Sequence, residues 1–300
     1  MFDIIIVGAG PAGMTAAIYA LRANKKVLIL EAVSYGGKII SANEVENYPA
    51  IEKISGVDLA TNMFNQIKNL GADIRFEKVV DIADLGDTKE VITVDNKYSS
   101  KAVIIATGVQ TRKLGLDREE ELLGHGISYC ATCDGAFYKG KDVAVNGGGN
   151  SAIEDALYLS EICNKVYIIY RNDKFRAEEY LLDKLKQYDN VEYVFDSNII
   201  SLNGNEVLES ITVEDKNTHE QKSIPVSALF IAIGQIPENN NFAKLIKLNE
   251  QWYIIGDDSC HTNVAGIYVA GDTREKEVRQ LTTATADGTI AALTAIKEMK

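Results

Sequence analysis

The chain is poor in cysteine, proline and histidine, with 4, 4 and 3 of them among its 300 residues. So few cysteines exclude a secreted disulfide scaffold of this size, and a reducing, cytoplasmic compartment is the expectation. The histidines are isolated along the sequence, and no second close pair of cysteines accompanies Cys130 and Cys133. Structural zinc sites usually need two such pairs, so we expect no metal site.

The chain also lacks an excess of basic charge and long apolar runs. Lys and Arg number 31 against 43 Asp and Glu, which gives a formal net charge of -12. Such an acidic chain lacks the electrostatic footprint of nucleic-acid binding, so no nucleic-acid partner is expected. No apolar run is long enough to span a bilayer, and the N-terminus lacks the basic region of a signal peptide. We therefore expect no membrane partner either.

Short β-branched runs alternate with longer helical stretches. The composition is 46% hydrophobic and 25% charged, as in ordinary globular proteins, and the length suggests two domains. The order strand, helix, strand is predicted at residues 3–31 and again at 142–171, and a further helix at 176–188. This alternation is typical of parallel sheets with crossover helices, so we predict an α/β fold of doubly wound, three-layer units.

A glycine-rich turn follows the first strand and opens the first helix. Its residues are Gly8, Gly10, Pro11, Ala12 and Gly13. In such a turn one glycine permits the tight bend, one lets a pyrophosphate approach the backbone, and one allows close helix packing. Glu31 ends the next strand, where a carboxylate accepts hydrogen bonds from a ribose. This context favours a dinucleotide site over a turn that binds nothing.

A second turn of this kind follows the strand predicted at 142–146. Its residues are Gly147, Gly149, Asn150, Ser151 and Ala152. The next strand leads not to an acid but to the cations Arg171 and Arg176, which suit a 2′-phosphate and hence NADPH rather than NADH. A solvated charge cluster without a ligand is the alternative interpretation. The two turns together predict two dinucleotides.

The segment CATCDG, with Cys130, Cys133 and Asp134, precedes the second turn. Two cysteines three residues apart can close and reopen a disulfide. A structural pair of thiols is the alternative, but a dithiol is the natural acceptor for electrons from two nucleotide sites. Of the other cysteines, Cys163 lies on a helical pattern and is expected in the core. Cys260 follows three polar residues and is expected to be exposed.

These motifs resemble, in kind and order, those of low-molecular-weight thioredoxin reductases. The matching segments are GAGPAG at 8–13, ENYP at 46–49, ATG at 106–108, CATCDG at 130–135, GGGNSA at 147–152, FRAE at 175–178, AGD at 270–272 and RQ at 279–280. The position of CATCDG just before the second nucleotide turn is the specific part. In glutathione-reductase-like relatives the redox cysteines lie in the first domain instead.

The resemblance implies two Rossmann-like dinucleotide-binding domains, the second inserted in the first. FAD would bind residues 1–112 and 242–300, and NADPH would bind residues 113–241, which also carry the redox cysteines. Beyond the first glycine turn and Glu31, the FAD contacts implied by the family are Gly37, Lys38, Asn47, Ala106, Thr107, Gly108, Gly271, Asp272, Arg279 and Gln280.

The resemblance also implies the chemistry and the partner. Hydride would pass from NADPH to FAD and then to the disulfide, with Cys133 on the flavin side. Cys130 would exchange with the disulfide of thioredoxin, and Asp134 would transfer a proton. The family is usually a homodimer, which we expect here by resemblance alone.

The sequence departs from the family pattern at the donor site and near the flavin. Tyr170 and Asn172 stand where a histidine and an arginine are usual, which predicts a weaker preference for NADPH over NADH. Lys38 replaces a glutamine and Gln235 replaces a histidine. Two alternatives therefore stay open: a related disulfide reductase that uses NADH or reduced ferredoxin, and a redox sensor without turnover.

Overall fold

The protein is described here by a computed structural model covering residues 1–42 and 44–299. Two compact units divide the chain: unit 1 consists of Met1–Gln110 and the chain from Ile236 on, and unit 2 is Thr111–Gln235. Unit 2 is therefore one continuous segment inserted in unit 1. Within the described residues, no helix is both long enough and apolar enough to cross a membrane.

The helices and strands follow the alternation that the sequence predicts. The helices are α1 (Pro11–Arg22), α2 (Gly56–Asn69), α3 (Ala131–Asp134), α4 (Asn150–Ile162), α5 (Glu179–Leu185) and α6 (Leu281–Glu298). The strands are β1 (Phe2–Val7), β2 (Val27–Glu31), β3 (Asp73–Phe76), β4 (Val79–Asp84), β5 (Lys89–Thr93), β6 (Lys97–Ile105), β7 (Gln110–Thr111), β8 (Ile127–Ser128), β9 (Asp142–Asn146), β10 (Lys165–Ile169), β11 (Val191–Val194), β12 (Ser197–Asn203), β13 (Ser210–Asp215), β14 (Gln221–Pro225), β15 (Ala228–Ile231), β16 (Gln235–Ile236) and β17 (Ile267–Val269).

Unit 1 is built on a seven-stranded sheet in the order β3-β2-β1-β6-β5-β4, with β17 also paired to β6. β3, β2, β1, β6 and β17 are parallel, whereas β4 and β5 form an antiparallel meander with the start of β6. The parallel strands are continuous apolar runs because both faces are covered. Ile4 and Ile6 pack with α1 and α6, and Ile5 packs on the opposite face with Phe242 and Ile246.

Unit 2 contains five parallel strands in the order β11-β10-β9-β15-β8. α4 and α5 cover one face, where Leu159 lies in one cluster with Phe230. The antiparallel sheet β12-β13-β14 packs against a second cluster, in which Ile211 joins Ile169 and Leu229. The predicted α/β fold with two dinucleotide-binding domains is confirmed.

Three local expectations need correction. The helix predicted at 176–188 is only Glu179–Leu185, because the N–H of Arg176 donates to the carbonyl of Gly148 instead of starting a helical turn. Cys260 is fully buried rather than exposed, because its carbonyl accepts the N–H of Val269 and draws the residue into the core beneath α6. Its burial raises the thiol pKa to about 12.

The third correction concerns the second domain boundary. Residues 236–241, which the sequence assigns to the second domain, belong to unit 1. Asn239 is fully buried there, donates to the carbonyl of Trp252 at 2.9 Å, and accepts the hydroxyl of Thr273 at 2.8 Å. These two hydrogen bonds within unit 1 hold the returning chain before the predicted boundary.

His261 joins the end of α6 to a turn of unit 1 through hydrogen bonds, and we expect these bonds to make the stability of the protein depend on pH. Its ring nitrogens lie 2.8 Å from Glu298 and 2.9 Å from Asp257, and these carboxylates raise the pKa of His261. The stabilisation is therefore complete below the unfolded pKa of about 6.5 and is lost as pH rises through the folded value. Because the pair is partly exposed, we expect His261→Gln to lower Tm by only about 1–2 °C at pH 6. Thermal unfolding at pH 6 and pH 9 checks this; an equal loss at both would contradict it.

Candidate active site

The first glycine turn lies at the carboxyl ends of the parallel strands of unit 1. Gly8 has φ +108°, and a Cβ there would lie 2.3 Å from the carbonyl oxygen of Ala106, so only glycine fits. In contrast, a Cβ on Gly10 would meet nothing nearer than the Cα of Gly37, at 4.0 Å. Gly10 also provides no side-chain cap for α1, which begins at Pro11. The space beside Gly10 is therefore open, as the approach of a pyrophosphate to the start of α1 requires.

Glu31 is joined to this turn at the end of β2. Its carboxylate accepts the N–H of Ala9 at 2.8 Å and the N–H of Val33 at 3.0 Å. These bonds fix the carboxylate beside the glycine turn and leave lone pairs on both oxygens for a diol. The turn also packs against α6. Gly13 lies tightly against Gly8, and Ala12 lies tightly against Gly288 of α6.

Asp272 has a buried carboxyl oxygen without a hydrogen-bond partner in residues 1–42 and 44–299. Its Oδ1 is buried and is one of two such atoms in the described side chains without a hydrogen-bond partner. Burial raises the pKa of Asp272, and the cations Lys38, Lys276 and Arg279 oppose that rise. A buried acceptor without a donor is unfavourable, and a hydroxyl donated by a ligand would satisfy it. The ribityl chain of FAD carries such hydroxyls, and the residues present fit that cofactor.

Several other predicted FAD residues lie around Asp272. The guanidinium of Arg279 donates to the backbone oxygen of Asp272 at 3.2 Å and lies 4.0 Å from the ring centroid of Tyr253. Gln280 caps the start of α6. Burial lowers the pKa of Lys38, and the Asp272 carboxylate opposes this.

Of the remaining predicted FAD residues, Thr107 and Gly108 lie with the residues around Asp272, whereas Asn47 does not. Thr107 is in the cluster, since its hydroxyl is 3.1 Å from that of Thr273, and Gly108 follows it with φ +67°. Asn47 is exposed, and no hydrogen bond within residues 1–42 and 44–299 joins it to the glycine turn.

Sequence reasoning missed a buried ionic cluster beneath Gly271. Asp287 is 5% exposed and accepts the N–H of Gly271 at 3.0 Å. The same carboxylate pairs with Arg274 at 3.2 Å and with Lys276 at 2.9 Å. Asp287 thus fixes the turn that presents Asp272. A lone acid in the otherwise uncharged first half of α6 is the signal that could have revealed it.

The second glycine turn has the same construction in unit 2. A Cβ on Gly147 would lie 2.4 Å from the carbonyl oxygen of Ala232, whereas a Cβ on Gly149 would meet no atom within 4 Å. The side chain of Asn150 bonds both the carboxylate and the N–H of Glu178, which closes the turn. Ser151 is exposed at the start of α4, and the next residue, Ala152, is buried beneath it.

The strand end beside this turn is aromatic as well as cationic. Tyr170 is 4% exposed, its ring lies against Gly148, and its hydroxyl accepts from Asn172 at 3.0 Å. Arg171 and Arg176 are exposed, and neither has an ion-pair partner in the described part of the chain. Two unpaired guanidinium groups beside an open glycine turn fit a phosphorylated ribose.

The redox cysteines form a closed disulfide in unit 2. Cys130 and Cys133 are bonded, with their Cα atoms 5.3 Å apart. The N–H groups of Cys133 and Asp134 both donate to the carbonyl of Cys130, at 3.3 and 3.1 Å. Burial raises the pKa of Asp134, and a hydrogen bond from Ser128 opposes that rise. A carboxyl that keeps its proton to higher pH is suited to proton transfer beside a disulfide.

The other two cysteines are free and buried. Burial raises the pKa of Cys163 to about 11, and its thiol donates to the carbonyl of Tyr138 at 3.4 Å. A thiol with a raised pKa is a poor nucleophile. Of the four cysteines, Cys130 and Cys133 are therefore the pair suited to disulfide exchange.

Known proteins match this chain over almost its whole length. The family described as pyridine nucleotide-disulphide oxidoreductase matches residues 2–288. Thioredoxin reductase of Bacillus subtilis (strain 168) is 41% identical over 293 residues, 97% of this chain and 93% of that protein. Thioredoxin reductase of Mycoplasma genitalium is 42% identical over 297 residues, 98% of this chain and 94% of that protein.

A solved structure agrees with these matches. Thioredoxin reductase from Streptococcus pyogenes MGAS5005 has a TM-score of 0.95 and 38% identity, over 99% of this chain and 97% of that one. The chain belongs to the pyridine nucleotide-disulphide oxidoreductase family and, within it, to the thioredoxin reductases.

Proposed function

We propose that this protein reduces the disulfide of thioredoxin with electrons from NADPH. The observation that carries the proposal is the Cys130–Cys133 disulfide, followed directly in the chain by the half-buried Asp134, in the unit that also holds the second glycine turn. FAD bound in unit 1 would supply the two-electron carrier between the nicotinamide and this disulfide.

The two nucleotides would be held by separate groups of residues. Unit 1 would bind FAD through its glycine turn, Glu31 and the cluster around Asp272. Unit 2 would bind NADPH through its own glycine turn, with Arg171 and Arg176 on the 2′-phosphate. Unpaired donors in unit 2 and an unpaired acceptor in unit 1 support this division.

The exchange with thioredoxin would use the reduced pair in two steps. The thiolate of Cys130 attacks one sulfur of the thioredoxin disulfide, forming a mixed disulfide and releasing the other thioredoxin sulfur as a thiolate. Cys133 then attacks Cys130, which restores the Cys130–Cys133 bond and releases the second thioredoxin sulfur. Two electrons thus pass to thioredoxin, and Asp134 would donate a proton to a departing thiolate.

Reduction of the purified holoprotein by each donor tests the proposal. The holoprotein is mixed in a stopped-flow instrument with NADPH, NADH or reduced ferredoxin, and the flavin absorbance is recorded. Turnover with oxidised thioredoxin is then measured for each donor. Fast reduction by NADPH together with thioredoxin turnover is expected. The neutral pair Tyr170–Asn172 favours NADH as the second candidate donor. Reduction without thioredoxin turnover would support a redox sensor instead.

Because one carboxyl oxygen of Asp272 has no hydrogen-bond partner among the residues that the structure describes, we expect Asp272 to contribute to FAD affinity. Asp272→Leu removes an acceptor that a ligand hydroxyl would satisfy, so we expect FAD to dissociate about tenfold more readily. Flavin fluorescence released on dilution measures this. Asp258→Leu, at a carboxylate on the exposed turn before Cys260, is the matched control and should retain FAD. Equal retention by both variants would contradict a role for Asp272.

The assembly and location belong to the same proposal. A homodimer rests on the family resemblance, and light scattering of the purified protein tests it. A cytoplasmic location fits the two free thiols, Cys163 and Cys260, because that compartment keeps thiols reduced.

A further inference from the structure

A buried hydroxyl joins the two ends of the redox turn. Ser128, at the end of β8, is 3% exposed. Its Oγ lies 2.6 Å from Oδ2 of Asp134 and 3.0 Å from the backbone nitrogen of Cys130. A hydroxyl has one hydrogen to donate, and the backbone oxygen of Cys130 at 3.3 Å competes for it. The Asp134 oxygen is the closer acceptor by 0.7 Å (2.6 against 3.3 Å), so Ser128 donates to Asp134 and accepts from the N–H of Cys130.

The sheet fixes the position of this hydroxyl. Ser128 pairs with Phe230 in the parallel ladder between β8 and β15. No hydrogen bond other than that from Ser128 reaches the Asp134 carboxylate within residues 1–42 and 44–299. The orientation of the carboxyl beside the disulfide therefore depends on a single donor.

We propose that Ser128 is the positioning residue for proton transfer at the redox disulfide, holding the Asp134 carboxyl in place through its hydroxyl. The inference rests on the proposed function, which gives Asp134 the proton. In each exchange step a sulfur–sulfur bond breaks, the departing sulfur leaves as a thiolate with the electron pair, and the proton of Asp134 ends on a thiolate. Solvent then returns a proton to Asp134.

The hydroxyl also affects how firmly Asp134 holds that proton. Burial raises the pKa of Asp134, and the hydrogen bond from Ser128 opposes the rise because it stabilises the ionised form. Removal of the hydroxyl leaves burial unopposed. The carboxyl then stays protonated to higher pH, but it is free to rotate away from the thiolate.

Single-turnover exchange measures both consequences without a nicotinamide donor. The holoprotein is reduced with dithiothreitol, freed of reductant and mixed with oxidised thioredoxin between pH 5.5 and 9.5. In Ser128→Ala we expect the alkaline limb of the rate profile to move to higher pH, because nothing then opposes the effect of burial on the Asp134 carboxyl. We expect the plateau rate to fall about tenfold, because the carboxyl is no longer oriented.

Controls separate positioning from a merely structural role. Ser128→Thr keeps the hydroxyl and should restore the limb to its wild-type pH. Ser160→Ala removes another buried hydroxyl of unit 2, which donates to the carbonyl of Leu157, and should leave the profile unchanged. Asp134→Glu displaces the carboxyl by one methylene and should move the alkaline limb in the same direction as Ser128→Ala. This second variant keeps the proposal testable if Ser128→Ala does not fold.

A double-mutant cycle gives the decisive outcome. If Ser128 acts through Asp134, then adding Ser128→Ala to Asp134→Asn should slow exchange less than about twofold. An unmoved limb in Ser128→Ala, or the same tenfold loss with and without the Asp134 carboxyl, would overturn the positioning role. If Asp134→Asn matches the wild type at every pH, Asp134 is not the proton donor and the positioning role of Ser128 is overturned. If the reduced wild type does not react with thioredoxin at all, the proposed function itself is wrong.

Discussion

Replacement of Cys130 by serine should abolish thioredoxin reduction while leaving the nucleotide sites intact. A serine hydroxyl cannot form or exchange a disulfide, so we expect kcat/KM for thioredoxin to fall at least about 1,000-fold. Reduction of the bound flavin by NADPH should persist in the variant, because the glycine turns and the cluster around Asp272 are separate from Cys130. Stopped-flow absorbance and turnover with oxidised thioredoxin measure the two activities on the same preparation.

The two cysteines should differ in what they trap. In Cys133→Ser, the thiol of Cys130 can still attack thioredoxin, but no neighbouring thiol resolves the mixed disulfide. A covalent adduct should therefore accumulate on a non-reducing gel, and the Cys130→Ser variant should form none. The reverse pattern would exchange the roles assigned to Cys130 and Cys133.

Cys163 provides the matched control for this pair. Its thiol donates to the carbonyl of Tyr138, and a serine hydroxyl keeps that bond. Cys163→Ser should therefore retain thioredoxin turnover within about twofold, since surface or conservative changes away from a site have small effects. A large loss there would show that the Cys130 result reflects folding rather than exchange.

The features predicted from the sequence share one property: each depends on residues close together in the chain. A glycine turn between an apolar strand and a helix is recognisable because sterics at Gly8 and Gly147 admit no side chain. The paired cysteines are likewise a local pattern. Local patterns therefore predicted both Rossmann-like units and the segment that carries the disulfide.

The missed residues act through partners distant in the chain. Asp287 is 16 residues from Gly271, and Asn239 is 34 residues from Thr273. Their partners are set by how α6 and the returning chain pack, which no periodicity encodes. Cys260 was misjudged for a related reason, because the polar residues before it form a turn that directs only the cysteine inward. The residues that hold the site in place are thus set by contacts distant in the chain, whereas the motifs that bind and react are visible in short stretches of sequence.

Loss of both arginines at the strand end should nearly eliminate selectivity for NADPH. Each charge-assisted hydrogen bond to a phosphate contributes about 1.5–3 kcal/mol, so Arg171→Ala with Arg176→Ala should raise KM for NADPH at least about 100-fold. KM for NADH should change less than about threefold, because NADH carries no 2′-phosphate. Calorimetric binding of 2′,5′-ADP and of 5′-AMP isolates the same contact from the chemistry.

The opposite change at the same strand end tests whether the neutral pair limits selectivity. Asn172→Arg adds a cation where the side-chain amide now donates to the hydroxyl of Tyr170, and it should raise the NADPH-to-NADH preference about tenfold. Lys186→Ala removes an exposed cation of the same unit that pairs with Asp183, and it should change neither KM. Because the phosphate contact is electrostatic, the arginine effects should weaken with salt, whereas lost packing would not. Equal losses for both nucleotides in the double variant would show that the arginines contact a part common to NADPH and NADH rather than the 2′-phosphate.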